Sequence, residues 1–256
     1  MLFLRNKDNL SIKGESREGV NIAAENYDGL NAGSGKSDIP GSKAAGGRSL
    51  FLVEGGDLLT IENLTITNTH TRAGSGDQAE TIYFNSQGRL IAKDANFISE
   101  QDTLLMKGYN WFYNTKIAGN VDFIWGYSVA TVFENSEIVT LGDSKVVANG
   151  ETTSSGGYLL QARTENASDP GFVFLNSVLT HAAGPKGVTV EANSTYLARS
   201  SGDGSKFDNI TFVNTKMGEH IAAIGWAYKD INGQPAPNPI TANANSGWKE
   251  YKSMDS

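Results

Sequence analysis

The chain has 256 residues, 29 of them glycine, with no cysteine and a formal net charge of −7 at pH 7. This length can bury a full core, and the acidic balance disfavours nucleic acid and anionic membranes as main partners. The lack of cysteine excludes thiol nucleophiles, disulfides and thiolate metal sites. No stretch approaches the roughly 18 apolar residues of a membrane span, and the abundant glycine argues against a helical bundle.

Short β-branched or aromatic runs recur along the chain, and each of them ends in asparagine. The runs are Leu64–Asn68, Ile91–Asn96, Trp111–Asn114, Thr131–Asn135, Phe172–Asn176 and Thr211–Asn214. The asparagines are 28, 18, 21, 41 and 38 residues apart, near one or two multiples of twenty. This period predicts an all-β fold, a parallel β-helix with stacked coils. An antiparallel β-sandwich is the alternative, although no regularly spaced Asn-Gly or Asp-Gly hairpin separates the runs.

Three stretches rich in glycine, serine, proline or other polar residues are predicted to be loops: 28–48, 142–157 and 229–247. None is long enough to link a second core, so we predict one domain over residues 1–256. The N-terminus is too short for a signal peptide and runs straight into strand-like sequence. We therefore expect that the chain begins inside a longer precursor.

Two carboxylates are the main candidates for chemistry. Asp122 lies in the apolar, glycine-flanked run Gly119–Gly126, where a charge is costly unless it is paired or used. Asp102 precedes it by twenty residues, about one coil, and paired strands lie roughly 4.8 Å apart. We expect the two acids to stack, and two acids so close should not ionise equally. One acid could then keep a proton while the other acts as a nucleophile.

Gln78, Gln101 and Arg199 complete this candidate site. Gln78 precedes Gln101 by 23 residues, again about one coil, so we expect both amides to point from the same face. Such amides could donate hydrogen bonds to an oxyanion, and Arg199 could keep one acid ionised. No two of the three histidines have metal-ligand spacing, so we predict no metal site.

Several motifs resemble those of the pectin methylesterases, or pectinesterases, of the bacterial type. Gly119–Gly126 resembles the G-x-V-D-F-I-F-G signature, and Gln101–Leu104 is similar to the Q-D-T-L motif. Further segments similar to family motifs are Asp77–Ala79, Gln161–Thr164, Tyr196–Arg199, Gly225–Trp226 and Glu250–Tyr251. The resemblance runs over essentially the whole chain and implies a right-handed parallel β-helix.

The resemblance also implies an aspartyl esterase that removes C6 methyl esters from galacturonate residues of pectin. Asp122 would attack the ester carbonyl and form an acyl-enzyme. Asp102 would protonate the leaving methanol and then activate water. With these roles we expect the anionic Asp122 to raise the pKa of Asp102. Gln78 and Gln101 would stabilise the oxyanion, while Arg199 would orient Asp122.

For the substrate cleft, the resemblance implies contacts from Trp125, Trp226, Phe123 and Gln161, with both tryptophans as walls against sugar rings. It implies a secreted or cell-envelope monomer that acts on methylated homogalacturonan without a cofactor. Family members begin earlier, with a segment that caps the first coil, and we expect this chain to lack it.

Two positions depart from the family pattern. Ser200-Ser201 stands where the family has Pro-Trp, and Leu105 stands where it has Tyr. We therefore expect a catalytic set that is complete beside a cleft with fewer aromatic side chains.

Two other functions remain as alternatives. A pectin-cleaving β-helix lyase would need a calcium site and an arginine base, and a hydrolase would need N-T-D, D-D and G-H-G motifs; neither set occurs here. A polysaccharide-binding β-helix without catalysis, or with altered specificity, is the other alternative, and an activity assay would decide.

Overall fold

The structure, a computed structural model, describes residues 2–35, 47–227 and 247–255. The predicted loop 142–157 lies inside these ranges and contains a short 3-10 helix, Ser144–Asn149. Residues 36–46 of the first predicted loop and 229–246 of the third lie outside the described residues.

The strands, numbered in chain order, follow one another around successive coils. The first four coils contain β1 (Leu2–Arg5), β2 (Leu10–Lys13), β3 (Asn21–Ala24), β4 (Phe51–Glu54), β5 (Leu59–Glu62), β6 (Thr65–Asn68), β7 (Ile82–Asn85), β8 (Arg89–Lys93), β9 (Asn96–Ile98), β10 (Leu104–Met106), β11 (Tyr109–Tyr113) and β12 (Lys116–Gly119). The later coils contain β13 (Ile124–Gly126), β14 (Ala130–Glu134), β15 (Glu137–Leu141), β16 (Thr153–Ser154), β17 (Gly157–Ala162), β18 (Gly171–Leu175), β19 (Val178–Ala182), β20 (Thr189–Val190), β21 (Thr195–Ala198), β22 (Ile210–Val213), β23 (Lys216–Met217), β24 (Trp248–Tyr251) and β25 (Met254–Asp255).

Each of these strands pairs with the equivalent strand of the next coil, which produces three long sheets. Sheet 1 has the order β1-β4-β7-β10-β13-β17-β21, sheet 2 has β2-β5-β8-β11-β14-β18-β22-β24, and sheet 3 has β3-β6-β9-β12-β15-β19-β23-β25. A separate pair joins β16 to β20. All of these pairings are parallel, and crossovers between parallel strands are right-handed. The prediction of a right-handed parallel β-helix is confirmed, and the β-sandwich is excluded.

The interior is filled by side chains that repeat from coil to coil. Alternating residues of sheet 2 point inward, and parallel register places one inward side chain above the next. The rings of Phe112, Phe133, Phe174 and Phe212 therefore stack, with centroid separations of 4.9, 4.8 and 4.4 Å along the column. All four rings are fully buried, and burial of so much apolar area stabilises the coil.

The bend between sheets 2 and 3 carries the predicted asparagines, with two exceptions. Left-handed backbone, with φ from 49° to 52°, occurs at Asn63, Asp94, Asn114, Asn135, Asn176 and Asn214, which we call the asparagine ladder. Asn and Asp tolerate this conformation better than other L-residues. Asn68 and Asn96 were expected in the column but lie elsewhere, at the end of β6 and the start of β9.

In the part of the chain that the structure describes, no helix combines the length and the apolar surface that crossing a membrane requires.

Candidate active site

Asp102 and Asp122 lie at the bend that leads into sheet 1, each two residues ahead of a strand. Leu104 of β10 pairs with Ile124 of β13, so the two aspartates occupy the same position in consecutive coils. Both have left-handed backbone, with φ of 60° and 48°. The prediction that these acids stack on neighbouring coils is confirmed.

Arg199 holds Asp122 through a forked ion pair. Its Nε lies 3.0 Å from Oδ1 and 3.1 Å from Oδ2 of Asp122, and Nη2 also donates to Oδ2. The guanidinium carbon lies 5.5 Å from the ring centre of Tyr158, whose carbonyl accepts from the Asp122 amide. Charge-assisted forks of this kind fix a carboxylate in orientation as well as position.

Asp102 is buried in the next coil, in a different electrostatic setting. Its Oδ2 accepts a hydrogen bond of 3.1 Å from Nη2 of Arg48. Burial, followed by the charge of Glu80, raises the pKa of Asp102 well above its usual range; Arg48 opposes this rise and Asp122 adds to it. The expected direction of the pKa shift is confirmed, but Asp122 is not its largest cause.

The two glutamines are close in register but are not opposite each other. The Ala79 amide donates to the Gln101 carbonyl at 3.1 Å, so Gln101 aligns with Ala79 and lies one position away from Gln78. The expectation of one coil between Gln78 and Gln101 is therefore off by a residue. The side chain of Gln101 hydrogen-bonds Asp102, and Oε1 of Gln78 is buried without a hydrogen-bond partner among the described residues.

A neighbouring contact anchors the loop that carries Gln78. The carboxylate of Asp77 accepts from the amides of Ala73 and Gly74 at 2.7 and 2.5 Å, and it contacts Nε2 of His70 at 2.9 Å. The His70 ring stacks on Tyr27 with centroids 3.7 Å apart. These contacts fix the loop immediately before Gln78.

The outward face of sheet 1 forms a stripe beside the acids. Register aligns Leu52, Tyr83, Leu105, Trp125 and Gln161 across five strands. The Trp125 ring lies under two guanidiniums, 5.8 Å from that of Arg48 and 4.9 Å from that of Arg163. Oε1 of Gln161 accepts from Nε of Arg163 at 2.9 Å. The structure thus brings Trp125 and Gln161 to the site.

The expected cleft positions of Phe123 and Trp226 are wrong. Phe123 is fully buried in the interior cluster. The ring of Trp226 belongs to the same cluster, stacks on Trp248 at 5.1 Å and donates from Nε1 to Glu250 at 2.5 Å. Left-handed backbone at Asp122 breaks strand alternation, so both Phe123 and Ile124 point inward.

Sequence reasoning missed Arg48 and Glu80. Glu80 lies two residues ahead of Ile82, which pairs with Leu104, so Glu80, Asp102 and Asp122 form one column that we call the acidic stack. The pattern acid-x-aliphatic occurs at each of the three positions and could have revealed Glu80. Arg48 has no comparable sequence signal, because only the fold brings it to Asp102.

Sequence reasoning also missed a basic cluster at the edge of the stripe. Lys107, Arg163 and Lys206 place their charges 5.5, 5.9 and 5.6 Å from the ring centre of Tyr127. These three cations lie together on a protein of net negative charge. Such a cluster attracts anionic groups to the surface beside Trp125.

The two family departures have definite places. Leu105 is buried in the stripe, packed with Tyr83 and Trp125. Ser200 is buried and hydrogen-bonds the carboxyl group of Asp208. Burial raises the pKa of Asp208 to about 6. Among the described residues, no group of three or more His, Asp and Glu side chains is arranged to hold a metal ion.

Comparison with known proteins gives concordant matches. Residues 12–247 match the pectinesterase family. Pectinesterase A of Dickeya dadantii is 32% identical over 277 residues, covering 96% of this chain and 70% of that protein. A probable pectinesterase/pectinesterase inhibitor of Arabidopsis thaliana is 29% identical over 210 residues, and the match spans 76% of this chain but only 32% of that protein.

A solved structure agrees with these sequence matches. The crystal structure of a mutant pectin methylesterase in complex with a hexasaccharide superposes with a TM-score of 0.71 at 28% identity. The superposition covers 99% of this chain and 79% of that one. Family match, sequence relatives and fold agree, and the chain belongs to the pectinesterase family, a family of esterases.

Proposed function

We propose that this chain hydrolyses C6 methyl esters of galacturonate residues in pectin, releasing methanol and free carboxylates. The observation that carries the proposal is the pair of stacked aspartates in contrasting settings. Asp122 is fixed by the fork of Arg199, whereas Asp102 is buried with a raised pKa. Such a pair separates a nucleophile from an acid.

In the first step, a carboxylate oxygen of Asp122 attacks the ester carbonyl carbon. The carbonyl electrons move onto oxygen, and the side-chain amides of Gln78 and Gln101 stabilise that charge. As the tetrahedral intermediate collapses, the bond to the methoxy oxygen breaks. Asp102 gives its proton to that oxygen, and methanol leaves.

In the second step, Asp102, now a carboxylate, takes a proton from water, which attacks the acyl-enzyme. The bond between the acyl carbon and the Asp122 oxygen breaks, and the galacturonic acid carboxyl group is released and then loses its proton to the solvent. Asp102 has regained its proton and Asp122 its charge. Both groups are therefore ready for another turnover.

The surroundings of the acids support an acidic sugar polymer as substrate. Trp125 lies on the outward stripe but is only 8% exposed, with the guanidiniums of Arg48 and Arg163 against its ring. The cations Lys107, Arg163 and Lys206 can bind the carboxylates of galacturonate residues already freed from their esters. The related pectin methylesterase structure contains a hexasaccharide. We include secretion to the cell wall or cell envelope in the proposal, since that is where pectin occurs.

Methanol release from highly methylated pectin, with polymer length followed in parallel, tests the function. We expect methanol and acid to appear in equal amounts while chain length stays constant. Shortening of the polymer without methanol would instead indicate a pectin-cleaving enzyme. Binding to pectin with neither product would favour the non-catalytic alternative.

A further inference from the structure

The acidic stack contains a third acid that the proposed mechanism does not use. Glu80 is aligned with Asp102 one coil away and is completely buried, with 0% exposure. A carboxylate in such a place is costly unless a specific partner compensates for its burial. Its partner and its position beside Asp102 indicate what the residue does.

That partner is Arg48, whose guanidinium faces three carboxylates at once. Nε donates to both oxygens of Glu80 at 2.8 and 2.9 Å. Nη2 donates to Asp102 at 3.1 Å, and Nη1 donates to Asp28 at 3.0 Å. The planar fork thus connects Glu80 and Asp102 rigidly, as a flexible amine could not.

An arginine beside a general acid creates a conflict. Its hydrogen bond fixes the carboxyl group, but its charge favours the ionised form, which has no proton to give. Burial raises the pKa of Glu80, and the charge and hydrogen bonds of Arg48 oppose that rise. In its ionised form, Glu80 accepts the shortest of these bonds and places a negative charge against the same guanidinium, which removes the conflict. Consistent with this, the charge of Glu80 raises the pKa of Asp102 while Arg48 lowers it.

We propose that Arg48 and Glu80 form a positioning pair for Asp102. Arg48 holds the carboxyl group in place, and Glu80 offsets the charge of Arg48 so that Asp102 keeps its proton. Neither residue is catalytic in this assignment, since each acts through Asp102. The assignment rests on the proposed function in its use of Asp102 as the acid.

The other charged groups around Asp102 are the same in every variant and affect its pKa in the same way. Asp122 lies in the next coil, with Arg199 and Tyr158 beyond it, and Asp28 lies on the far side of Arg48. Variants at Arg48 and Glu80 leave these groups in place. Differences between variants therefore report the pair itself.

The first test compares the pH dependence of kcat/KM in Glu80→Gln and in the double variant Glu80→Gln/Arg48→Gln. The high-pH limb marks the loss of the proton from Asp102. In Glu80→Gln, the positive charge of Arg48 is no longer offset and lowers the pKa of Asp102. We therefore expect the high-pH limb to move down by about one pH unit. The double variant also lacks the positive charge of Arg48, so the limb should move back up. Its kcat should stay reduced, because Arg48 no longer holds the carboxyl group of Asp102 in place.

Two further variants separate positioning from simple stability. Arg48→Lys keeps the charge but loses the fork, so we expect kcat to fall about tenfold or more with little movement of the limb. Glu54→Gln is the matched control, because Glu54 is also buried in sheet 1 and pairs with Arg5 at 3.3 Å. Its limb should match that of the wild type, and thermal melts establish that each variant is folded.

Carbon-13 NMR of labelled carboxyl groups provides a readout without turnover. The Asp102 signal is identified by its absence from Asp102→Asn, and its titration midpoint should fall in Glu80→Gln and recover in the double variant. An unchanged midpoint and limb in folded Glu80→Gln would overturn the proposal, as would wild-type kcat in folded Arg48→Lys. If the wild-type protein released no methanol, the proposed function would fail, while the NMR titration would still decide the role of the pair.

Discussion

Two columns of polar residues run along this β-helix. They share a left-handed backbone conformation, but their side chains have different surroundings and different roles. The asparagine ladder and the two aspartates of the acidic stack both have left-handed φ at a bend. In the ladder, exposed neighbours hydrogen-bond each other, as Asn214 does to Asn176 at 2.7 Å. In the acidic stack, buried carboxylates pair with Arg199 and Arg48.

The comparison shows that left-handed turns by themselves do not mark the site. Asp94 belongs to the ladder, has φ of 51° and accepts a hydrogen bond from Asn114. It thus matches Asp102 and Asp122 in residue type and backbone, but it lies near the surface. Burial and arginine pairing are what distinguish the two columns. Burial raises the pKa of Asp102, and the arginines fix the orientation of both carboxylates.

The largest expected effect is the loss of the nucleophile. We expect Asp122→Asn to lower methanol release by about 10³-fold or more, since an amide oxygen cannot form the acyl-enzyme. Asp94→Asn makes the same change in the ladder and should keep wild-type activity. Turnover near the wild-type rate in folded Asp122→Asn would falsify the assignment of Asp122.

Removal of the acid should have the next largest effect. We expect Asp102→Asn to lower kcat by about 10²- to 10⁴-fold, the usual contribution of general acid–base catalysis. The high-pH limb of the kcat/KM profile should disappear with it. Because Asp102 interacts with neighbouring acids, with Glu80 more strongly than with Asp122, the wild-type profile is to be described by joint apparent pKa values. A limb that persists unchanged in Asp102→Asn would show that another group supplies the proton.

Asp208 sharpens the comparison, because it is a buried acid whose hydrogen bonds come from Ser200 and Ser201. Its pKa is about 6 in the fold, against about 3.9 in an unfolded chain. The folded state therefore keeps a proton that the unfolded state has lost, and stability falls as the pH rises from about 4 to 6. We expect Asp208→Asn to raise the free energy of unfolding by about 3 kcal/mol at pH 8 and to change it little at pH 4.

Denaturant titrations of wild type and Asp208→Asn at the two pH values would measure this difference. An equal effect at pH 4 and pH 8 would mean that the substitution acts through packing and not through ionisation. The activity of the variant is a separate measurement and does not enter this test.

The ladder should matter for stability alone. Asn176→Ala places a Cβ-bearing residue with lower tolerance at φ of 50° and removes the acceptor for Asn214, so we expect a loss of about 1 to 2 kcal/mol. Asn176→Gly keeps the left-handed turn at lower cost and should lose less. Methanol release at 25 °C should be unchanged in both variants. A large loss of kcat in either variant would contradict the view that the ladder stabilises the fold while the acidic stack carries the chemistry.

The smallest expected effect concerns substrate binding next to the acidic stack. Ser201 follows Arg199 by two residues and stands where the family has Trp. A sugar-stacking aromatic contributes roughly 1 kcal/mol, so Ser201→Trp should lower KM on methylated pectin by about fivefold with little change in kcat. If KM is unchanged or higher, Trp125 already supplies the aromatic surface at this point.

The sequence by itself was sufficient for the fold and for the two acids. Parallel coils repeat at a nearly constant length, so the period of the asparagines predicts the β-helix, and the spacing of Asp102 and Asp122 predicts their stacking. Local backbone preference also selects Asn and Asp for the bends. These features depend on residues that are close in sequence or one period apart.

Only the tertiary structure decided which side chains point outward and that Arg48 reaches Asp102. Phe123 and Trp226 are aromatic residues of the kind expected in a sugar-binding cleft. Left-handed backbone at Asp122 turns Phe123 into the core, and Trp226 stacks there on Trp248. Arg48 meets Asp102 across 54 positions of chain, and no motif predicts that contact. The pairing of Arg199 with Asp122, across 77 positions, was expected because both residues lie in segments that resemble family motifs. Contacts of this kind follow no period, because insertions between coils change the separation in sequence while register keeps the partners together in space.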